Sequence, residues 1–283
     1  MSRRFQLVDV FNEQAFSGNP LAVVFDADDL TSESMLQITR WLNLSETAFI
    51  LAPRVSDADY RVRIFTLNRE LPFAGHPTLG SCHAWLAAGG TPRRDAAIVQ
   101  ECAAGLISIR QTGDRLAFAA PPLLREGPVE EAKITELAAF LGIEREKVID
   151  AAWADNGPGW IVVLLESAEA VLALKPAATH AGGLDLGVVG AYPRGAPLAF
   201  ELRAFFTDHS GAVREDPVTG SLNASTAQWL LRSGRAHAPY TAAQGTCLGR
   251  TGRIFISKDP EGAVWVGGRT ATLFSGAMQG SAP

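Results

Sequence analysis

The sequence predicts an α+β protein assembled from two copies of one unit, and three observations carry the prediction. A chain of 283 residues, 47% of them hydrophobic, has room for a large core. Strand-like apolar runs alternate with capped helical segments along the whole chain. The same short motifs also occur twice in the same order. Gly18-Asn19-Pro20 followed by Ala22-Val23-Val24 matches Gly157-Pro158-Gly159 followed by Ile161-Val162-Val163. Arg63-Ile64-Phe65-Thr66 matches Arg203-Ala204-Phe205-Phe206-Thr207, and the spacings agree: 45 residues from Gly18 to Arg63, 46 from Gly157 to Arg203. Each copy then has a helix mouth, an apolar helix bearing Trp85 or Trp229, and a glycine-led strand, Gly105–Ile109 or Gly252–Ile256. Ordered repetition of this kind indicates a duplicated unit. Ala120-Pro121-Pro122 and the charged stretch after it read as a linker, dividing residues 1–122 from 123–283.

Taken in order, Phe5–Phe11 is a strand, Ser17-Gly18-Asn19-Pro20 a turn and Leu21–Phe25 a buried strand. Thr31 or Ser32 caps a helix that carries Met35, Ile38 and Leu42 on one face. Thr47–Leu51 and the alternating Tyr60–Phe65 are strands. Phe73–Thr78 opens a helix from about Leu79 to Ala88, which Gly89-Gly90 ends. Gly105–Arg110 and Arg115–Ala119 complete the first half as strands. In the second half Thr135–Leu141 is a short capped helix, Trp160–Leu164 a strand, and Ser167–Leu174 a helix stopped before Pro176. Leu186–Val189 and Phe200–Phe206 are strands. Asp216–Ser221 opens a helix ending near Gly234, and Arg253–Ile256, Val264–Gly267 and Ala271–Phe274 are strands.

Composition narrows the function classes. A net charge of -5 without a concentrated basic face argues against nucleic-acid binding. Three cysteines, Cys82, Cys102 and Cys247, without framework or CxxC spacing, argue against a disulfide scaffold and a structural metal. Met1–Phe5 lacks the apolar run of a signal peptide, and Trp160–Leu165 is too short to span a bilayer. The expectation is a cytoplasmic protein with neither metal nor membrane association.

The chemistry sits at the two helix mouths. Each places glycine and small polar residues where unpaired N–H groups and the helix dipole favour an anion. Two such mouths related by pseudo-symmetry would aim their donors at one cleft between the halves and hold a substrate carboxylate there. Holding it acidifies the neighbouring C–H bond, and a general base is then required. Glu46, flanked by Ser45 and followed by apolar residues, is the candidate, because partial desolvation raises a carboxylate towards a working pKa. Singly, each residue also fits a plain role: Glu46 as a turn or cap residue, His76 as a cap or packing group, Asp216 as an N-cap and Ser221 as a first-turn residue. What favours function is that His76 and Asp216–Ser221 fall at comparable places in two repeats.

Several motifs together resemble the phenazine-biosynthesis isomerase (PhzF-like) family: Ser17–Val24, Ser45–Ile50, Phe65-Thr66, Glu70–Thr78 and Glu215–Ser221. The resemblance runs from residue 5 to the final strands. It implies a diaminopimelate-epimerase-like fold, in which each half is a β-sheet rolled around a central helix with the active site between the halves. It implies that Glu46 takes a proton from substrate carbon and returns it elsewhere, without a cofactor. His76 and Asp216 would orient substrate and shuttle protons. Gly75, Gly220 and Ser221 would lie near the bound carboxylate, with Ser45 beside the base and Asn19 in a substrate-contacting turn. A homodimer is also implied. Cofactor-independent epimerases use a cysteine at each mouth; the matching places here are expected at Ala74 and Asp216, so a two-thiol mechanism is nearly excluded. The leading expectation is a proton-moving isomerase, as in isomerising a dihydro-hydroxyanthranilate. The alternatives are a binding protein of the same fold without turnover, or a hydrolase using Ser221 and His76, although Thr219–Asn223 is not a GxSxG elbow.

Overall fold

The computed structural model describes residues 2–94, 97–208 and 210–279. The chain divides into two compact units, Met1–Ala119 with Gly267–Pro283, and Ala120–Val266.

In the first unit, β1 (Arg3–Asn12) lies antiparallel to β2 (Asn19–Val24), which lies parallel to β3 (Glu46–Leu51). Next comes β4 (Tyr60–Thr66), antiparallel to β3. It also pairs with the short antiparallel β5 (Glu70–Leu71) and, in parallel, with β6 (Ile98–Cys102). The meander β7 (Gly105–Thr112) and β8 (Arg115–Ala119) follows. A C-terminal strand, Val264–Met278, pairs with β8 and runs antiparallel to β1, closing the ladder on itself.

Through this ring runs α2 (Gly75–Ala87), in contact with β1, β2, β3, β4, β6 and β8. The close approach needs Gly80, where a Cβ would fall 2.5 Å from Leu21 Cδ2 and 2.9 Å from Val10 Cγ2. Outside the ring, α1 (Ser32–Leu42) covers Val24, Phe49 and Phe65 with Met35. Strands buried on both faces read as continuous apolar runs, which accounts for Leu21–Phe25.

The second unit repeats the scheme. Its strands are β9 (Arg125–Pro128), β10 (Asp150–Asp155), β11 (Ile161–Leu165), β12 (Asp185–Ala191), β13 (Phe200–Thr207), β14 (Val213–Asp216), β15 (Tyr240–Gln244) and β16 (Gly252–Lys258). From β10 onward the pairings run antiparallel, parallel, antiparallel, parallel, antiparallel, in the same order as from β1, with β14 as the short side partner of β13. The outer cover is α3 (Glu131–Leu141) and α4 (Ala168–Leu172), and α5 (Gly220–Arg232) is the counterpart of α2. At Gly187 on β12 a Cβ would meet Leu222 of α5 at 2.3 Å, so helix and sheet again approach through a glycine.

The duplication extends to side chains. Arg63 grips both carboxylate oxygens of Glu70, and Arg203 grips both of Glu215. Each guanidinium also lies over a phenylalanine two residues on, Phe65 at 5.1 Å and Phe205 at 5.0 Å. The matched motifs therefore mark one repeated construction, and the expected sheet rolled around a central helix is what each unit contains.

Four expectations change. α2 starts at Gly75 rather than Leu79, because Gly75-His76-Pro77 are already its first turn and Pro77 needs no donor there. The expected linker after Pro122 contains strand β9, which pairs with β10. The two C-terminal segments form one unbroken strand. That strand carries Gly267 onward back to β1, so a single cut at 122/123 does not separate the units. The sequence reading also passes over β6, β10, β14 and β15. The alanine-rich runs Asp150–Ala154 and Tyr240–Ala243 carry little strand propensity of their own.

Candidate functional site

The mouths of α2 and α5 lack both a side-chain cap and a first-turn acid, whereas α3, also without a cap bond, carries Glu131 in its first turn. Helices α1 and α4 begin with side-chain caps: Thr31 Oγ1 accepts from Ser34 N, and Ser167 Oγ from Ala170 N, both at 3.1 Å. The N-cap residues of α2 and α5, Ala74 and Thr219, make no such bond, and neither first turn contains an acid. The positive ends of these two helices are thus left without a neutralising carboxylate from their own first turn. Gly75 and Gly220 are the first helical residues and both are buried, where backbone can approach a ligand without a Cβ in the way.

At the α2 mouth the structure brings Glu46 and His76 together. Glu46 is the first residue of β3, paired with Thr66, and His76 is the second residue of α2. His76 Nε2 stands 3.5 Å from Glu46 Oε2, with the two side chains 4% and 17% exposed. Burial pushes the imidazole down to about 3, so at neutral pH it is uncharged. A neutral ring can both donate and accept a proton, as a shuttle must. Ser45 immediately precedes Glu46 and is half-buried. Asn19 is fully buried at the start of β2, opposite Val10. Its turn is set by Asp9, whose carboxylate accepts from Ser17 N at 3.1 Å and Gly18 N at 2.9 Å. Burial raises the pKa of Asp9.

At the α5 mouth Asp216 ends β14 and is 8% exposed. The Thr219 hydroxyl donates to its Oδ2 at 2.6 Å. Asp216 is therefore not the N-cap of α5; Thr219 is. Counting from the caps pairs Ala74 with Thr219, Gly75 with Gly220 and His76 with Ser221. The ladders pair Leu71 with Asp216, since Ile64↔Leu71 in one unit corresponds to Ala204↔Asp216 in the other. The expected equivalence of Ala74 and Asp216 is thus corrected: the cap positions hold Ala74 and Thr219, and Asp216 has an apolar counterpart. The free cysteines lie elsewhere, at 82, 102 and 247.

Ser221, the second residue of α5, accepts the indole N–H of Trp160 on Oγ at 3.0 Å, and its carbonyl accepts from Asn156 Nδ2 at 2.9 Å. The turn that supplies both partners is held by Asp155, which accepts from Gly157 N and Gly159 N, each at 2.7 Å.

Sequence reasoning missed Thr219, Asn223, Gln244, Trp160 and Asn156. The side chain of Gln244 contacts Thr219, Asn223 and the carbonyl of Asp216. Nothing in an alanine-rich strand far along the chain marks it. A buried glutamine amide is the only trace, and burial is not legible from one sequence. In the first unit Gln100 plays a comparable part, donating to Thr78 Oγ1 at 3.0 Å while accepting from Tyr60 OH at 3.0 Å and Ser81 Oγ at 3.2 Å.

Comparison with known proteins bears on family, fold and reaction class. The family model for phenazine biosynthesis-like protein (PhzC-PhzF) matches residues 8–276. A trans-2,3-dihydro-3-hydroxyanthranilate isomerase of Pseudomonas aeruginosa is 34% identical, covering 96% of this chain and 98% of its own. A Schizosaccharomyces pombe protein named antisense-enhancing sequence 1 is 36% identical, covering 96% of this chain and 97% of its own. Among solved structures, a predicted epimerase from Pseudomonas aeruginosa superposes with a TM-score of 0.79 at 26% identity, covering 99% of this chain and 100% of the other. A hydroxyproline epimerase from Agrobacterium vitis shares the fold alone, with a TM-score of 0.59 at 13% identity, over 98% of this chain and 91% of the other. At the level of reaction class these relatives make the chain an isomerase or epimerase. With its duplicated sheets and a family match across nearly its whole length, the chain belongs to the phenazine biosynthesis-like (PhzC-PhzF) family.

Proposed function

We propose that this protein moves a proton within a small carboxylate-bearing substrate, without metal or organic cofactor, in the manner the name of its dihydro-hydroxyanthranilate isomerase relatives describes. The observation that supports this most is the Glu46–His76 pair at 3.5 Å, enclosed at the mouth of α2 beside an uncapped helix start. Glu46 is the base that removes the proton from carbon. His76, neutral through burial, relays it. Asp216 is the acid/base group of the second unit, and the first-turn N–H groups with Gly75, Gly220 and Ser221 receive the substrate carboxylate. We place Asn19 and Ser45 among the substrate-binding groups and the working protein in a homodimer.

The test is solvent-deuterium incorporation into trans-2,3-dihydro-3-hydroxyanthranilate and a panel of amino-aromatic acids. Glu46→Gln is expected to lower incorporation by about 10²- to 10⁴-fold with an unchanged circular dichroism spectrum. Undiminished exchange in that variant removes Glu46 from the role. A binding protein of the same fold would titrate a panel member calorimetrically and return it without label. The hydrolase reading is disfavoured because Ser221 is the second residue of a helix and its Oγ is engaged by an indole N–H.

A further inference from the structure

The Asp216 carboxylate is held by a directional chain of hydrogen bonds whose sense can be read from its ends. Gln244, at the end of β15, is fully buried and uses its whole side-chain amide. Its Oε1 accepts from Thr219 N at 3.0 Å and from Asn223 Nδ2 at 2.8 Å. Its Nε2 donates to the carbonyl of Asp216 and to Thr219 Oγ1, both at 3.0 Å.

Two of these partners admit one reading only. A backbone N–H must donate, which fixes Oε1 towards Thr219 N; a backbone carbonyl must accept, which fixes Nε2 towards Asp216 O. Asn223 is fixed in the same way, because its Nδ2 also donates to the carbonyl of Thr219 at 2.9 Å. The Thr219 oxygen therefore receives an amide N–H. Its single hydrogen points to Asp216 Oδ2, 2.6 Å away. That oxygen is an acceptor, so a proton on this carboxyl has only Oδ1 to occupy, and the hydroxyl bonds the charged form more strongly than the neutral one. A short O–H···O⁻ contact of this kind stabilises the charged state.

A buried glutamine also donates to a threonine hydroxyl of α2, Gln100 to Thr78, but the step from a cap hydroxyl to an acid is found at the α5 mouth. At the equivalent cap position the first unit has Ala74, with no hydroxyl to pass a hydrogen on, and the residue equivalent to Asp216 is Leu71. The hydroxyl and the acid occur together in one copy of the duplicated unit and are absent together from the other. A relay that existed only to start the helix would be expected in both copies.

On the reading that Asp216 handles a proton, we propose that Gln244 and Thr219 are positioning residues that hold Asp216 as a hydrogen-bond-accepting carboxylate. Gln244 sets the direction of the Thr219 hydroxyl, and that hydroxyl keeps Oδ2 unprotonated and fixed in place. Neither residue needs to touch the substrate.

The experiment is a titration of the Asp216 carboxyl followed by carbon-13 NMR of aspartate-labelled protein, with the signal assigned by its loss in Asp216→Asn. Thr219→Val keeps the side-chain shape and removes the hydroxyl. It is expected to raise the Asp216 pKa by about one unit or more, a tenfold change in proton affinity. Thr219→Ser restores the original value. Gln244→Leu shifts it in the same direction; should that variant fail to fold, the valine and serine pair still decides. An unchanged Asp216 pKa in folded Thr219→Val overturns the proposal. Should the wild type exchange no deuterium into any panel member while the valine variant still shifts the titration, the relay stands and the isomerase reading falls. Exchange in the wild type with an unmoved titration removes the relay alone.

Discussion

His76 Nε2 lies 3.5 Å from Glu46 Oε2, and these two atoms come from a helix and a strand thirty residues apart in sequence. The pair exists because α2 threads the sheet that β3 helps to close, which sets the second residue of the helix against the first residue of the strand. The same burial that joins them determines how the ring titrates.

The folded-state pKa of His76 is lowered from 6.5 to about 3, so the unfolded chain binds its proton more readily. Between those values the unfolded state holds more protons, and this residue makes stability fall as pH drops from about 6.5 towards 3. The limiting slope is about 1.4 kcal/mol per pH unit. Urea unfolding at pH 6.5 and 5 is expected to show a steeper loss for the wild type than for His76→Gln. Equal losses would show that the ring is charged in the folded protein.

Gly80 offers a test in which two effects have opposite signs. Alanine in a helix interior is favoured over glycine by about 1 kcal/mol. Here its methyl group would enter the contact with Leu21 and Val10. Overpacking of this kind costs about 1–3 kcal/mol, so Gly80→Ala should destabilise. A raised Tm would mean that helix and sheet have slack between them.

The two Arg–Glu pairs are a duplicated contact at different depths. Arg203 and Glu215 are 7% and 12% exposed, and Arg203 also donates to the carbonyl of Leu174 at 2.9 Å. Arg63 and Glu70 are 23% and 33% exposed. Removing one partner of a buried pair strands the other charge, so Glu215→Ala should cost about 3–5 kcal/mol. Glu70→Ala should cost nearer about 1 kcal/mol, because water can solvate the arginine left behind. Equal losses in denaturant unfolding would contradict this ordering.

Trp160→Phe removes the indole N–H from Ser221 Oγ and keeps most of the ring. A lost hydrogen bond of this kind is worth about 1 kcal/mol. A double-mutant cycle with Ser221→Ala should recover that amount as coupling energy. Additive losses would show that the contact contributes nothing to stability.

Much of the fold was legible in the residues. The repeated Gly-Asn-Pro and Gly-Pro-Gly turns, the Arg-x-Phe strands and the glycine-led strands all mark a duplicated unit, because each local constraint is met by nearby residue types. Glu46, His76 and Asp216 were legible as candidates through motif resemblance. The alanine-rich strands β10 and β15 were not, since their extended form comes from partners supplied elsewhere in the chain. The return of the C-terminal strand to β1 was hidden for the same reason.

By itself the sequence determined the repeat, the helix mouths and the residue types that chemistry could use there. The tertiary structure decided which of those residues meet. Only the folded chain sets His76 against Glu46, makes its ring neutral, aligns Thr219 rather than Asp216 with Ala74, and brings Gln244 to the mouth of α5. Turns and caps are satisfied within a few residues and leave a local signature. Desolvation and hydrogen-bond partnership across a sheet depend on residues far apart in the chain, and no local pattern records them.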